Sequence, residues 1–409
     1  MRVINLEQFK KIVAALPENP RVVASGNFAT PTVLLDALDA VVPEYRLNML
    51  NAQKGLPDRP GVTYETAFVG PGMRNNDRLV YTPSRLSLVP VLFRDHYRPD
   101  IVIVHTSAPR HDTVSLGLEV NILPAAIESA RAHGGLVIAQ SNVKMPYTYG
   151  DSQIYDTEID YIVEVDEPLA THVPGAIDDT SRQIGELIAR KVEDNSTMQL
   201  GIGGVPDAVL AALTHRKGLR VWTEMFSDGV LNLHKADALN DEVPLTASFI
   251  FGSQELYDWI NLNRRVRMKR TEITNDPAQI SRQAKMTSVN AGLQVDLFDQ
   301  ANASRIGNKI YSGFGGSTDF IVGSLHSRGG QSFMALASWH KKANVSTVVP
   351  KLTSPVTSMQ HTYVATEQGL AECFGRSQRQ QAANIIEHAA HPDVRDELRE
   401  AAVEMGLFS

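Results

Sequence analysis

A chain of 409 residues is too long for one ordinary hydrophobic core, so length alone implies two domains. Its 43% hydrophobic and 21% charged residues describe a globular protein, and a formal net charge of −7 argues against a nucleic-acid surface, which would need a basic face. No apolar run approaches the roughly 18–20 residues of a membrane span. The first twenty residues lack a signal-peptide core, and the single cysteine, Cys373, excludes a disulfide framework or cysteine-rich zinc site. A cytoplasmic protein without membrane or nucleic-acid partners is expected.

Along the chain, residues 21–24 read as a strand entering Ser25-Gly26-Asn27, and Thr30-Pro31 opens a helix over 32–38. Residues 101–105, 136–139 and 161–165 are short continuous apolar runs, as in strands buried on both faces. This alternation of strand and helix implies a parallel α/β sheet with right-handed crossovers. A link bearing proline and glycine follows. Asp178-Asp179 can then cap a helix over 181–192, whose Ile184, Leu187 and Ile188 share one stripe. The domain change is expected around residues 170–195, dividing the chain into 1–180 and 181–409.

The second half is organised by LGIGGVPDAVLAALTHRKGLRVWTEMFSDGV, from Leu200 to Val230. It opens with a glycine-rich turn, Gly201-Ile202-Gly203-Gly204-Val205, and Pro206 suits a first helical turn. Residues 208–213 read as a short helix ended by Lys217-Gly218, and 219–222 as a strand with Glu224 at its end. In open α/β sheets ligands bind beyond that end of the strands. The turn aligns without gaps with an earlier one. GNFATPTVLLDAL from Gly26 and GIGGVPDAVLAAL from Gly201 share Gly26/Gly201, Pro31/Pro206, Leu35/Leu210, Ala37/Ala212 and Leu38/Leu213, which points to two domains of similar build.

Residues 247–251 read as a strand and 254–260 as a helix. The basic run 264–270 reads either as an edge strand blunted by charge or as a contact for ligand phosphates. Strands are expected at 333–336, 345–349 and 362–365, and a helical C-terminus over 378–403 is broken at His391-Pro392.

Glycine turns at strand–helix junctions can aim backbone N–H groups at a phosphate or a developing oxyanion, or can simply be tight turns. Gly201 to Val205 fits neither the P-loop nor GxGxxG, and Gly313-Phe314-Gly315-Gly316 is a second such turn. Glu224 is either a catalytic acid or a carboxylate stabilised at a helix N-terminus, and Asp228 reads as a turn former in Ser227-Asp228-Gly229. His105 and His111, like His388 and His391, lack metal-site spacing, so no metal is expected. Cys373 has no flanking positive charge to activate it, and GxSxG is absent.

Together, GIGGVPDAVLAAL, TEMFSDGV, FGSQELYDW, ITNDP, VNAGLQVDL, IYSGFGGSTDF and VATEQGLAECFG resemble, in order, the acetyl-CoA hydrolase/transferase family of coenzyme A transferases. The resemblance implies two related, mostly parallel α/β domains of the CoA-transferase (NagB/RpiA-like) type, the second carrying the nucleophile. It implies Glu224 as that nucleophile, Val205 and Gly316 as backbone oxyanion donors, and Asn275 as an active-site amide. Gly201, Ile202, Gly203, Gly204, Val205, Gly315 and Gly316 would line the coenzyme A site. The implied substrates are an acyl-CoA and a small carboxylic acid, and the implied assembly is a homodimer or larger. Gln294 departs from the glutamate usual in that block, which bears on acyl and acceptor specificity. Three readings stay open: a CoA-transferase, an acyl-CoA hydrolase with the same nucleophile, and a non-catalytic CoA- or metabolite-binding protein.

Overall fold

The protein is described from a computed structural model, for all residues except Pro174, Ile202, Thr357 and Ser409. It forms two compact units. The first comprises Met1–Val173, Pro244–Thr274 and Tyr311–Gly315; the second comprises Pro174–Val243, Asn275–Ile310 and Gly316–Ser409.

The first unit is built on eight strands: β1 (Arg2–Val3), β2 (Arg21–Ala24), β3 (Tyr45–Asn48), β4 (Val62–Thr66), β5 (Leu79–Tyr81), β6 (Ile101–Ser107), β7 (Leu136–Asn142) and β8 (Tyr161–Val165). They hydrogen-bond in the order β1-β8-β7-β6-β2-β3-β4-β5, and every pair is parallel. All seven residues of β6 are buried, as its unbroken apolar run requires of a central strand covered on both faces.

The second unit carries β9 (Thr197–Leu200), β10 (Arg220–Val221), β11 (Met286–Ala291), β12 (Gln331–Ala335), β13 (Tyr363–Thr366) and β14 (Gly369–Glu372), in the order β10-β9-β11-β12-β13-β14. Only the β13–β14 pair is antiparallel. A core from Val295 to Leu407 packs beside it, with Leu297, Met334, Val364, Ile385 and Leu398 all buried. The C-terminal helices Gln378–His388 and Arg395–Glu404 are separated at Pro392, where a ring without an N–H cannot continue the first helix.

The two sheets repeat one pattern. The order β3-β2-β6-β7-β8 in the first unit matches β10-β9-β11-β12-β13 in the second. The helix Thr32–Asp39 connects β2 to β3, and Gly204–Ala212 connects β9 to β10. The two gap-free sequence segments thus occupy corresponding strand–helix junctions.

Some expectations need correction. The basic run is not an edge: Val266–Met268 is the middle strand of a three-stranded parallel sheet, between Leu245–Ala247 and Tyr149–Gly150. Three of its cations have local partners. Arg267 lies 5.6 Å from the Tyr149 ring centroid, Lys269 pairs with Asp151 at 3.2 Å, and Arg270 pairs with Glu128 and Glu272, both at 2.6 Å. Asp228 is not a turn former but the first residue of the helix Asp228–Lys235, where an acid complements the dipole. The strand expected at 345–349 divides into Val345–Ser346 and Val348–Val349, in different sheets.

Glu119, 1% exposed in the first unit, accepts hydrogen bonds from the Gly26 N–H at 3.0 Å and Asn121 Nδ2 at 3.2 Å. Burial outweighs these bonds and raises its carboxyl from 4.5 to about 7. An acid raised by folding contributes its full stability below its unfolded pKa and loses it as pH rises through the folded value. Glu119→Gln keeps the accepting oxygen and cannot ionise. Thermal unfolding is therefore expected to show E119Q gaining on the wild type by a few degrees between pH 5 and pH 8; a difference independent of pH would count against this account.

Candidate active site

Within the second unit, β10 ends at Val221 and the chain turns through Trp222 and Thr223 to Glu224. Trp222 N–H donates to the Met198 carbonyl at 3.2 Å, and the buried Thr223 hydroxyl donates to the Met225 carbonyl at 2.8 Å. These bonds fix the backbone on both sides of the acid. Asn275 opens another segment of this unit. It is followed by Asp276, whose side chain caps the helix Pro277–Ser281. Gly316 is the N-cap of the ten-residue helix Ser317–His326.

These three residues meet. Asn275 Nδ2 donates to Glu224 Oε2 at 3.0 Å, and the Gly316 N–H donates to the same carboxylate. Gly316 has φ −100°, so its backbone does not demand glycine; space does. A Cβ at this position would overlap Glu224 Oε2 and Asn275 Nδ2. Asn275 is fully buried. Glu224 keeps some accessible surface, but protein packs closely enough around its carboxylate to dominate its ionisation. Desolvation raises it from 4.5 to about 7, with Asp319's charge adding to the rise and the bonds from Asn275 and Gly316 opposing it. The result is an acid whose neutral and ionised forms are both accessible near neutral pH.

The other residues named from sequence lie in several settings. Gly203 caps the helix Gly204–Ala212 with φ 126° and ψ 179°, a conformation open essentially to glycine alone. Gly201 N–H donates to the Val289 carbonyl at 3.2 Å, and Ile202 lies outside the described residues. Val205, on the first turn of that helix, lines a cavity of about 530 Å³ with Ser181, Gly292, Trp339, Lys341 and Lys342. Among the described residues no hydrogen bond joins Val205 to Glu224. Gly315 belongs to the first unit, where its carbonyl accepts from the Leu86 N–H at 2.9 Å. Gln294 sits in the strand Gln294–Asp296, opposite Asn302.

His105 and Cys373 take no part in such chemistry. His105 is buried and pushed down to about 4 by desolvation, with Nε2 3.1 Å from Asn142 Nδ2. Burial raises the Cys373 thiol well above its ordinary range, the opposite of activation. Among the described residues, no group of three or more His, Cys, Asp or Glu could hold a metal ion, and no helix is long and apolar enough to cross a membrane.

Residues 58–174 match the acetyl-CoA hydrolase/transferase N-terminal domain and residues 252–402 its C-terminal domain. The chain belongs to the acetyl-CoA hydrolase/transferase family. Within that family it is 35% identical, over 95% of both chains, to 4-hydroxybutyrate coenzyme A transferase of Clostridium kluyveri. It is 34% identical to succinyl-CoA:acetate/propanoyl-CoA:succinate CoA transferase of Fasciola hepatica, over 95% of this chain and 86% of that one. An acetyl-CoA hydrolase of Kluyveromyces lactis is 30% identical over 50% of this chain and 40% of its own. In three dimensions the fold matches 4-hydroxybutyrate CoA-transferase of Porphyromonas gingivalis with a TM-score of 0.81 at 31% identity, over 99% and 98% of the two chains. The chain is thus an enzyme of a coenzyme A transferase and hydrolase family.

Sequence reasoning passes over Asp319, although it lies in the same IYSGFGGSTDF block as Gly316 and influences Glu224. It also passes over Trp339, Lys341 and Lys342, which no periodicity marks. The space at Gly316 supplies a direct test. Gly316→Ala is expected to displace the Glu224 carboxylate and lower the turnover of acyl-CoA by about 100-fold or more, with the far-ultraviolet circular dichroism unchanged. Activity within about threefold of wild type would show that the contact is dispensable.

Proposed function

We propose that this enzyme is a CoA-transferase moving coenzyme A between a short acyl-CoA and a free carboxylate of the acetate type, with Glu224 as the covalent carrier. One observation above all supports this reading: the Glu224 carboxylate is held by Asn275 and the Gly316 N–H in a space that a Cβ on Gly316 would fill.

The chemistry balances without a metal or a redox partner. A Glu224 oxygen attacks the thioester carbonyl, the C–S bond breaks, and CoA leaves as thiolate from a mixed anhydride. The thiolate attacks the Glu224 carbonyl carbon and expels the acyl group as its carboxylate, leaving a glutamyl–CoA thioester. The acceptor carboxylate then attacks that thioester, and the expelled thiolate takes the new acyl group, restoring Glu224. Each step passes through a tetrahedral oxyanion. In this reading the Gly316 N–H and the Val205 N–H are donors to it, and Asn275 keeps the carboxylate aimed.

The cavity at Val205 is the part of the second unit best suited to coenzyme A. Its volume of about 530 Å³ falls in the range of ligand sites, and Lys341 and Lys342 offer two adjacent cations for phosphates. Gly203 and Gly204 let the backbone at the helix N-terminus approach a ligand closely. Gly201 and Gly316 complete the binding residues of this unit that family resemblance implies. A cytoplasmic homodimer or larger assembly is the form we expect.

A hydrolase is the second reading, because relatives named acetyl-CoA hydrolase share half of the chain. In that case water, rather than a carboxylate, resolves the intermediate. Free thiol release from acetyl-, propionyl- and succinyl-CoA, with and without acetate, separates the two. Equal release in both, with no new acyl-CoA formed, would exclude the transferase.

Intact-mass analysis after incubation with acyl-CoA is expected to show an adduct of CoA mass on the peptide holding Glu224, absent in E224A. An adduct elsewhere, or none on an active enzyme, would exclude Glu224 as carrier. Because only ionised Glu224 can attack, kcat/KM is expected to rise with pH and level off above about 7. Asp319→Asn, which removes a charge that raises Glu224, is expected to move that midpoint to lower pH. An unmoved midpoint in folded D319N would argue against that influence.

A further inference from the structure

Strands Trp339–His340 and Val345–Ser346 form a short antiparallel hairpin in the second unit, with Lys341 to Asn344 at its tip. Asn344 adopts φ 54°, a left-handed conformation that asparagine tolerates. Its N–H donates to the His340 carbonyl at 2.8 Å, and the Ala343 N–H donates to His340 Nδ1 at 3.0 Å. The tip is thus closed on itself.

Trp339 is tied into this hairpin rather than merely covering it. Its indole Nε1–H donates to Asn344 Oδ1 at 3.2 Å, and its ring lies 5.0 Å from that of His391, at 48°. The indole still lines the 530 Å³ cavity, beside Lys341 and Lys342. Filling a gap in a wall requires only apolar bulk. Here a large flat ring is oriented by a hydrogen bond to the very loop that carries two ammonium groups. An oriented plane and a pair of cations on one hairpin, lining one cavity, suit a ligand that joins a heteroaromatic ring to phosphate.

We infer that Trp339 is a specificity-determining residue for coenzyme A, stacking on the adenine base of its 3′-phosphoadenosine end while Lys341 and Lys342 face the phosphates. This rests on the function proposed above and deepens it, by assigning the nucleotide end of the substrate to the hairpin. The chemistry at Glu224 does not involve this residue. It supplies remote binding energy that holds the thioester in place.

The test compares two donors of the same acyl group, acyl-CoA and acyl-pantetheine, which lacks the nucleotide. W339A is expected to raise KM for acyl-CoA about tenfold, in KM rather than kcat, and KM for acyl-pantetheine less than twofold. W339F, which keeps an aromatic face, is expected to recover most of the loss, and calorimetry with adenosine 3′,5′-bisphosphate is expected to follow the same order. An unchanged KM for acyl-CoA in folded W339A, or equal losses with both donors, would overturn the tryptophan assignment while leaving the proposed function intact. A wild-type enzyme that binds no adenosine 3′,5′-bisphosphate and forms no glutamyl thioester would overturn both.

Discussion

A carboxylate pressed against a residue with no side chain is the contact on which the rest of the site depends. Glu224 lies where a Cβ of residue 316 would be, and the N–H of that residue and the Asn275 amide are turned toward it. Gly316 also caps the helix Ser317–His326, so the carboxylate meets the positive end of a helix dipole as well as a hydrogen-bond donor. Burial and the nearby Asp319 push the other way. The balance leaves the acid near 7, where neither form is strongly excluded at neutral pH.

The repeated strand order lets the position of Glu224 be compared with its counterpart in the first unit. With Gly26 set against Gly201, Val22 corresponds to Thr197. Val22 lies opposite Leu47 in the first sheet, and Thr197 lies opposite Arg220 in the second. Counting four residues on from each partner brings Asn51 to the position of Glu224. Asn51 has φ 44° and donates through Nδ2 to Asn27 Oδ1 at 2.7 Å, a neutral amide tying down the neighbouring turn. The same place in the same fold therefore holds a structural amide in one unit and an ionisable acid in the other.

What could be read from sequence follows from how local each cause is. The strands at 101–105 and 136–139 were legible because burial on both faces forces an unbroken apolar run, and both are central in the sheet. Glu224 was legible as an acid just beyond a strand. The run at 264–270 misled because exposed edge strands and internal strands with locally paired cations have the same composition. Tyr149 and Asp151, more than a hundred positions earlier, make the difference. Asn275 and Gly316 could be named only through family resemblance, since nothing in 40 residues of intervening chain says that they meet. Trp339 carried no signal, because its cavity is assembled from segments near residues 180, 205, 292 and 340.

The enclosure of Glu224 bears on the choice between a carboxylate and water as the resolving group. A shift from 4.5 to about 7 corresponds, at about 1.4 kcal/mol per unit, to roughly 3 kcal/mol by which the resting charge is disfavoured. That is comparable to the contribution of one oxyanion donor, about 3–4 kcal/mol in other enzymes. In the proposed mechanism, acylation at oxygen or thioester formation removes the charge, so the same packing that penalises the ionised acid would favour both covalent intermediates over it. Asn275 is fully buried and Glu224 keeps only part of its surface, so under the proposed mechanism a thioester held there would be partly shielded from water by the same packing that desolvates the free acid. Under the proposed mechanism, an acceptor whose shape fills the site excludes water from the thioester, and that exclusion would favour transfer over hydrolysis.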